Sequence, residues 1–510
     1  MSRPAVIPVA DRVHARRWVV LAILSGSLLL IAMDTTILNV AFPSLVADLQ
    51  PGAVEQLWII DVYALALSGL LVTAGALGDR WGRKRLLLVG FALFAAASLG
   101  AVAATEAWHV IAARALLGVG GAAIMPTTLS ILRHVFTDAR ERAFAYAVWA
   151  AVMGGGMALG PVVGGLLVED YGWQSAFLLN VPIALTVIAL GAWFLPESFA
   201  PRTGRWDWTG VAQSIVGMIA LAAGIKQLGK SGLASPLPWL MLALAAVVLT
   251  LFVRRQLRLA HPLLHVRLFT SRAFSVSATV LFLGMVALGA VLFLLTQWFQ
   301  YAQGYSPLQA GLRVLPAPLA LVVTSLLAPA LMRAFPIRHV MASGLVLMAT
   351  GLVLPWLAQD GDDHLGYPVM AAALALIGFG AGLATTVASV TLMAATPNEH
   401  VSGAAAIEET CYELGAALGV ASLGSLAGAL YRSSLPASVP AAAHDSVGEG
   451  AHAAQEIGGA QGVLLLEQVA RAFTHGMTPA FAIGSALALV AAAAAWAWIP
   501  RGIRPTENAH

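Results

Sequence analysis

GALGDRWGRKR, residues 75–85, is the stretch from which the rest of the chain is read. Gly78 and Gly82 permit a tight turn. Asp79 can cap a helix end or pair with a neighbouring arginine, and Arg80, Arg83, Lys84 and Arg85 make the turn strongly basic. Apolar runs flank it at about 55–77 and 86–104. Each is close to the roughly 20 residues that a helix needs to cross a bilayer core of roughly 30 Å. A short basic turn between two such runs reads as a membrane hairpin with its loop on the cytoplasmic side, where Lys and Arg accumulate.

The same pattern extends outward in both directions. The 510 residues are 59% hydrophobic and 10% charged, with a mean hydropathy of +0.83. Soluble domains carry about 25% charged residues, so the composition is that of an integral membrane protein. A net charge of +3 points to no nucleic-acid partner, and the lone Cys411 excludes an intramolecular disulfide. Arg12, Arg16 and Arg17 precede the first apolar run without an A-x-A cleavage site, which reads as an uncleaved first helix.

Apolar periodicity predicts fourteen helices, at about 18–42, 55–77, 86–104, 108–132, 142–166, 175–196, 208–228, 237–253, 273–300, 308–332, 338–357, 369–394, 402–431 and 476–499. With both termini cytoplasmic, 22 of the 28 Lys and Arg fall in inner segments and 4 in outer ones, leaving Arg114 and Arg313 inside helices. The long hydrophilic segment 432–475 then lies outside. Within it, residues 462–473 carry apolar residues at helical spacing. They lie on the membrane surface, cap the mouth, or form one short helix in a loosely ordered loop.

Several ionisable residues stand inside apolar runs, where each charge costs a few kcal/mol or more. AIEETCYELGAALG, residues 406–419, holds Glu408, Glu409 and Glu413. Glu409 and Glu413 are one turn apart on nearly one face. Three anions so close repel, so at least one is protonated or paired with a cation. Asp34, in MDTTILNVAFPSL (33–45), and Asp61 are further acids within helices 1 and 2; caps or paired anchors are the alternative for both. Arg114 opens RALLGVGGAAIMP (114–126) and needs an acidic partner, for which helices 1 and 2 supply the candidates.

GGGMALGPVVGG, residues 154–165, is costly in a helix, at roughly 1 kcal/mol per Gly and roughly 3 for an interior Pro. Such density is tolerated where backbones pack closely and a helix bends. Met33, Asn39, Trp58, Tyr63, Met125, Trp149, Trp298, Phe299 and Tyr412 offer sulfur, amide and aromatic surface for a cation, or else pack or face lipid. No Walker A loop, HExxH, G-x-S-x-G or Cys/His metal spacing occurs, so neither an enzyme nor a metal site is expected, and no cofactor beyond protons.

The 75–85 turn resembles the cytoplasmic motif of the major facilitator superfamily. The resemblance implies that Gly78, Asp79, Arg80, Gly82 and Arg83 contact the opposite half and stabilise the outward-facing state. The Arg114 segment resembles the family's helix-4 motif, in which such an arginine assists proton transfer; a structural ion pair is the alternative. Helix 5, with Gly156, Gly160, Pro161, Gly164 and Gly165, resembles the antiporter motif of the superfamily's exporters, though a plain small-residue packing face has the same composition. Fourteen helices, the D-T-T-x-x-N-V-A-F-P pattern of helix 1 and E-E-x-C-Y-E of helix 13 together resemble the fourteen-helix drug/proton antiporters, the QacA and SmvA type of quaternary-ammonium and biocide pumps.

This resemblance implies an all-α major facilitator fold with six-helix bundles at 18–196 and 273–499 and two inserted helices at 208–253. It further implies a monomer in the bacterial inner membrane that exports lipophilic cations in exchange for protons. Asp34, Asp61, Arg114, Glu408, Glu409 and Glu413 would be the coupling residues. The alternative is a proton-coupled transporter of a neutral or other small solute, against which the helix-5 motif and the acids both weigh. Helix 10 (LPAPLALVVTSLLAP, 315–329) carries no acid, unlike relatives that handle dications, and leaves that charge to the glutamates of helix 13.

Overall fold

The computed structural model describes residues 16–199, 207–231, 235–259, 262–359, 365–397, 401–436 and 438–499; among them every regular element is helical. Fourteen helices are long and apolar enough to cross a membrane. They are α1 (Arg17–Leu49), α2 (Ala53–Trp81), α3 (Arg83–Val102), α4 (Ala107–Val135), α5 (Ala139–Tyr171), α6 (Gln174–Phe194, stepped at Leu179) and α7 (Trp208–Ser231). After α8 (Pro236–Arg258) come α9 (Arg272–Ala302, ending in a π-turn from Trp298), α10 (Pro307–Ala334, stepped at Leu315), α11 (Ile337–Leu357) and α12 (Tyr367–Ala394). The last two are α13, which runs as Val401–Gly419, a π-turn Val420–Gly424 and Ser425–Ser434, and α14 (Gly459–Trp498).

Their packing is a repeat. In the first half α1 lies against α4, α5 and α6, both α2 and α3 against α4, and α3 against α6. Shifted by eight helices, the same pairs return: α9 with α12, α13 and α14, α10 and α11 with α12, and α11 with α14. Six helices make each bundle and two are inserted, which accounts for the shift. The bundles meet along α2–α13 and α5–α10, themselves equivalent pairs. The inserted α7 packs on α8 and rests against α2 and the end of α13. Large apolar side chains cover the outside (Trp193 is 83% exposed and Leu240 68%), a surface that requires lipid.

The α1–α5 seam shows why this sequence bends and packs here. A Cβ on Gly156 would fall 2.6 Å from the Ala32 methyl, one on Gly160 would overlap Thr36 Oγ1, and one on Gly164 would overlap Ile37. The equivalent α9–α13 seam is as tight, with Gly415 and Gly419 on the carbonyls of Phe282 and Val286.

The α13–α14 connection departs from expectation. Residues 462–473 neither lie on the membrane surface nor form a separate helix in a loose loop; they are the first turns of the 40-residue α14. Leu465, Val469, Ala472 and Phe473 bury one face, and no proline interrupts the helix before Pro479. Since α13 also continues to Ser434, the predicted loop at 432–475 shortens at both ends. What remains folds into Ala441–Asp445 and Val447–Ile457, two short helices that cover one end of the molecule. The Tyr431 hydroxyl donates to Ala443 O at 2.8 Å, Gln56 Nε2 donates to Ser446 Oγ at 3.1 Å, and Gly448 lies against Val46 and Tyr301.

The inserted pair is stapled at its other end. Asp207 Oδ1 accepts from Gly210 N at 2.9 Å, capping α7, and from Arg255 Nε at 2.7 Å, while Oδ2 accepts from Gln256 Nε2 at 3.1 Å. Burial alone would raise the Asp207 pKa, but the Gly210, Arg255 and Gln256 donors outweigh it and hold the carboxyl below its ordinary value. A carboxyl with a depressed folded-state pKa stabilises fully above its unfolded pKa, and that contribution fades as pH falls through the folded value. Asp207→Asn is therefore expected to melt below wild type at neutral pH. The gap in thermal midpoint should close as pH drops below the ordinary Asp value of about 3.9. A gap that does not change with pH would assign the staple to packing alone.

Candidate functional site

Asp34 lies at the middle of the first bundle. Arg114 Nη1 from α4 reaches its Oδ2 at 2.8 Å, and both residues are 2% exposed. A buried ion pair is tolerable only when its remaining donors and acceptors are met. Here Asn180 Nδ2, just past the step in α6, donates to Asp34 Oδ1 at 2.8 Å and to Ser98 Oγ of α3 at 3.2 Å. Arg114 Nε points to Ile59 O at 3.4 Å, and its guanidinium carbon is 4.3 Å from the centroid of the Tyr63 ring. Gly118 lets α4 approach this closely, because a Cβ there would overlap the Tyr63 carbonyl. The partner that Arg114 needs is thus Asp34, and five helices converge on the pair.

The glutamates of α13 come from the other bundle. Glu408, Glu409 and Glu413 are 9%, 7% and 6% exposed. Glu413 is close enough to Arg114 and Tyr63 for their charges to interact across the α2–α13 interface. Glu409 interacts with both of its acidic neighbours, Glu408 is within hydrogen-bonding reach of Ser389, and Tyr412 within reach of Thr385, the last two on α12. One arginine is therefore ion-paired with an aspartate of its own bundle and interacts electrostatically with a glutamate of the other. Asp61 is also buried, but at roughly 100° per residue it lies nearly opposite Tyr63 around α2 and so outside this cluster.

The remaining candidates spread out. Asn39 lines a pocket between the bundles with Thr36, Met157, Pro161, Leu292 and Pro318; its 10 Å³ is about the room for one water. Met33 and Met125 are buried, Trp58 is half-buried against the cluster of Leu65 and Leu418, and Trp149 Nε1 is 3.4 Å from Thr128 Oγ1. Trp298 and Phe299 turn into the second bundle, where Trp298 Nε1 donates to Thr474 Oγ1 at 2.9 Å.

The described contacts of the 75–85 turn are with its own bundle, the end of α6 included. Gly82 has φ +112°, and a Cβ on it would fall 2.7 Å from the Glu197 carboxylate, so both backbone and space demand glycine. Glu197 Oε1 accepts from Lys84 N at 3.1 Å at the start of α3, where an anion favours the helix dipole, and Arg83 N donates to Ser198 O at 3.1 Å. The Asp79 side chain lies outside the described set, as do residues 1–15.

The described hydrogen bonds between bundles lie at the end that carries the 441–457 cover. Glu169 of α5 accepts from Ser306 Oγ at 2.8 Å and Leu308 N at 3.2 Å, where α10 begins. Gly311 packs on the Pro161 carbonyl, Gln300 Nε2 donates to Val40 O at 3.2 Å, and the Phe42 and Phe293 rings are 5.5 Å apart. Asn180, Ser98, Glu169 and Glu197 were not among the residues that the sequence analysis singled out. The usable signal for Asn180 was the one applied to the acids, a polar side chain inside an apolar run.

Residues 24–420 match the family described as Major Facilitator Superfamily. The chain is 39% identical over 494 residues to the multidrug efflux pump LfrA of Mycolicibacterium smegmatis, covering 95% of this chain and 97% of that protein. It is 35% identical over 490 residues to the methyl viologen resistance protein SmvA of Salmonella typhimurium, covering 94% and 98%. To the multidrug resistance protein Stp of Mycobacterium tuberculosis it is 29% identical over 491 residues, covering 93% and 91%. The crystal structure of the human organic anion transporter MFSD10 (TETRAN) matches with a TM-score of 0.60 at 15% identity, over 96% of this chain and 100% of that one, a likeness of fold.

Proposed function

Because this chain belongs to the Major Facilitator Superfamily, we propose that it exports lipophilic cations across a bacterial inner membrane in exchange for protons. Its relatives are named as a multidrug efflux pump and as drug or methyl viologen resistance proteins, and export of toxic small molecules is the reading those names support. The observation that carries the finer reading is the buried ion pair of Arg114 with Asp34, electrostatically coupled to Glu413 of the other bundle.

A carboxylate attracts a cation and a protonated one does not. Protons and drug therefore exclude one another from a shared set of acids. Cytoplasmic drug binds the anionic form, and protons arriving from outside displace it. In this reading the 75–85 turn and the N-terminus are cytoplasmic and the 441–457 cover is external. The Glu169, Gln300 and Phe42–Phe293 contacts then close the outer end, so this is the arrangement that loads from inside. The substrate is a cation with an apolar body, handled by a monomer without a cofactor. The methyl viologen of SmvA's name is a dication; in this chain the glutamates of α13 would neutralise such a charge, since α10 has no acid.

Dye efflux tests this directly. Cells loaded with ethidium and expressing the protein should extrude it, and a protonophore should abolish the extrusion. Undiminished efflux after the proton gradient is collapsed would remove proton coupling. Transport of a neutral solute in preference to ethidium would remove the cationic substrate.

A further inference from the structure

Asp34 is gripped at both oxygens by groups of different chemistry. Arg114 has only donors, whereas the Asn180 amide has both a donor end and an acceptor end. We propose that Asn180, backed by Ser98, is a positioning residue that satisfies Asp34 in both of its protonation states. The inference rests on the proton-antiport reading.

The argument begins with dryness. Asp34, Arg114, Asn180 and Ser98 are at most 2% exposed, so no group here can turn to bulk water for a missing partner. A buried polar group left unmatched bears its full desolvation cost. As the structure stands, the two Nδ2 hydrogens of Asn180 go to Asp34 Oδ1 at 2.8 Å and Ser98 Oγ at 3.2 Å. That arrangement suits a carboxylate and would set N–H against O–H if Asp34 took up a proton on that oxygen.

Turning the amide through 180° reverses both contacts at once. Asn180 Oδ1 has two lone pairs, one for the Asp34 O–H and one for the Ser98 O–H, and a hydroxyl donates as readily as it accepts. The proton comes to Asp34 and leaves from it; Asn180 gains and loses none. A leucine of similar volume would offer neither end.

The charged and titratable groups that face Asp34 are Arg114 from α4 and Tyr63 from α2, with Glu413 of α13 acting through both. Asp61, also on α2, is buried on the side of that helix away from Tyr63, and among the described residues of α3, α5 and α6 there are no others near it. The α6 span has no charged residue, those of α3 lie at positions 83–85, thirteen or more residues from Ser98, and α5 has none between Arg142 and Glu169.

The test uses the full-length protein, purified and also in everted vesicles. Ethidium transport is followed against pH, and proton release on ethidium binding is followed in weakly buffered detergent. In Asn180→Leu the transport profile should move by roughly one pH unit, the tenfold by which a hydrogen bond to the ionised carboxyl outweighs one to the neutral form, and proton release should fall. Asn180→Gln, which keeps the amide, should recover part of both, and Ser98→Ala should shift the profile less than the leucine. If Asn180→Leu does not reach the membrane, Ser98→Ala decides alone. Wild-type profiles and proton release in the variants overturn the proposal. So does a uniform loss of transport at every pH with proton release intact, since that describes a structural residue. Wild-type protein that releases no protons on binding ethidium overturns the antiport reading and this one with it, whereas release in wild type and unchanged release in the variants overturns this one alone.

Discussion

Gly160→Leu should bring efflux down to background, and Gly155→Ala, five residues earlier in the same helix, should leave it unchanged. Both substitutions add carbon to α5, but the surroundings differ. A Cβ on Gly160 would overlap Thr36 Oγ1 and stand 3.0 Å from the Met33 carbonyl, while one on Gly155 would meet nothing within 4 Å. Thr36 cannot easily yield, because its hydroxyl is held to Ala32 O at 3.2 Å and Met33 O at 3.3 Å. Overpacking of this kind costs roughly 1–3 kcal/mol and forces the two helices apart. Dye efflux measured at equal amounts of membrane-inserted protein checks it. Normal turnover in Gly160→Leu would reduce the helix-5 glycines to a packing preference.

The second large effect belongs to the Asp34–Arg114 pair, where the two halves are not equivalent. Asp34→Asn should abolish resistance to monovalent cations yet leave the protein in the membrane, because Arg114 keeps an amide oxygen beside it and the charge of Glu413 within reach. Arg114→Ala should do more harm. It leaves Asp34 as a buried carboxylate without its cation, a loss of roughly 3–5 kcal/mol. Less protein should accumulate, and its thermal midpoint should fall. The double variant with Asp34→Asn should regain stability without regaining transport. Wild-type efflux by an equally expressed Asp34→Asn protein would exclude Asp34 from the mechanism, and a double variant no more stable than Arg114→Ala would show that charge is not what fails.

The fold was legible because a bilayer imposes a length. A run of some 20 apolar residues has few other readings, and α8 or α11 needs no tertiary information to be drawn. The acids and Arg114 were legible for the same reason, since each is conspicuous against an apolar background. Asn180 stands in an equally apolar span, but a neutral amide costs less to bury than a charge and so carries a weaker signal. Ser98 carries none until its neighbour is known. The helical spacing of residues 462–473 was legible, but their continuity with α14 was missed because Glu467, Gln468 and Arg471 interrupt the apolar run. Contact with the cover and the second bundle, which no local pattern encodes, buries the other face of that segment.

The π-turn in α13 has a geometric consequence of its own. A turn closed by i→i+5 bonds holds one residue more than an α-turn, which puts the helix beyond it out of phase by roughly 100°. The carboxylates at 408–413 precede Val420–Gly424, and Tyr431, which fastens the cover through Ala443 O and packs on Gly476, follows it. The azimuth of the acidic half is therefore set independently of the azimuth of the half that holds the lid. Deleting one residue between 420 and 424 would leave every carboxylate facing as it does now and swing Tyr431 away from Ala443, unfastening the end of the molecule that carries the cover.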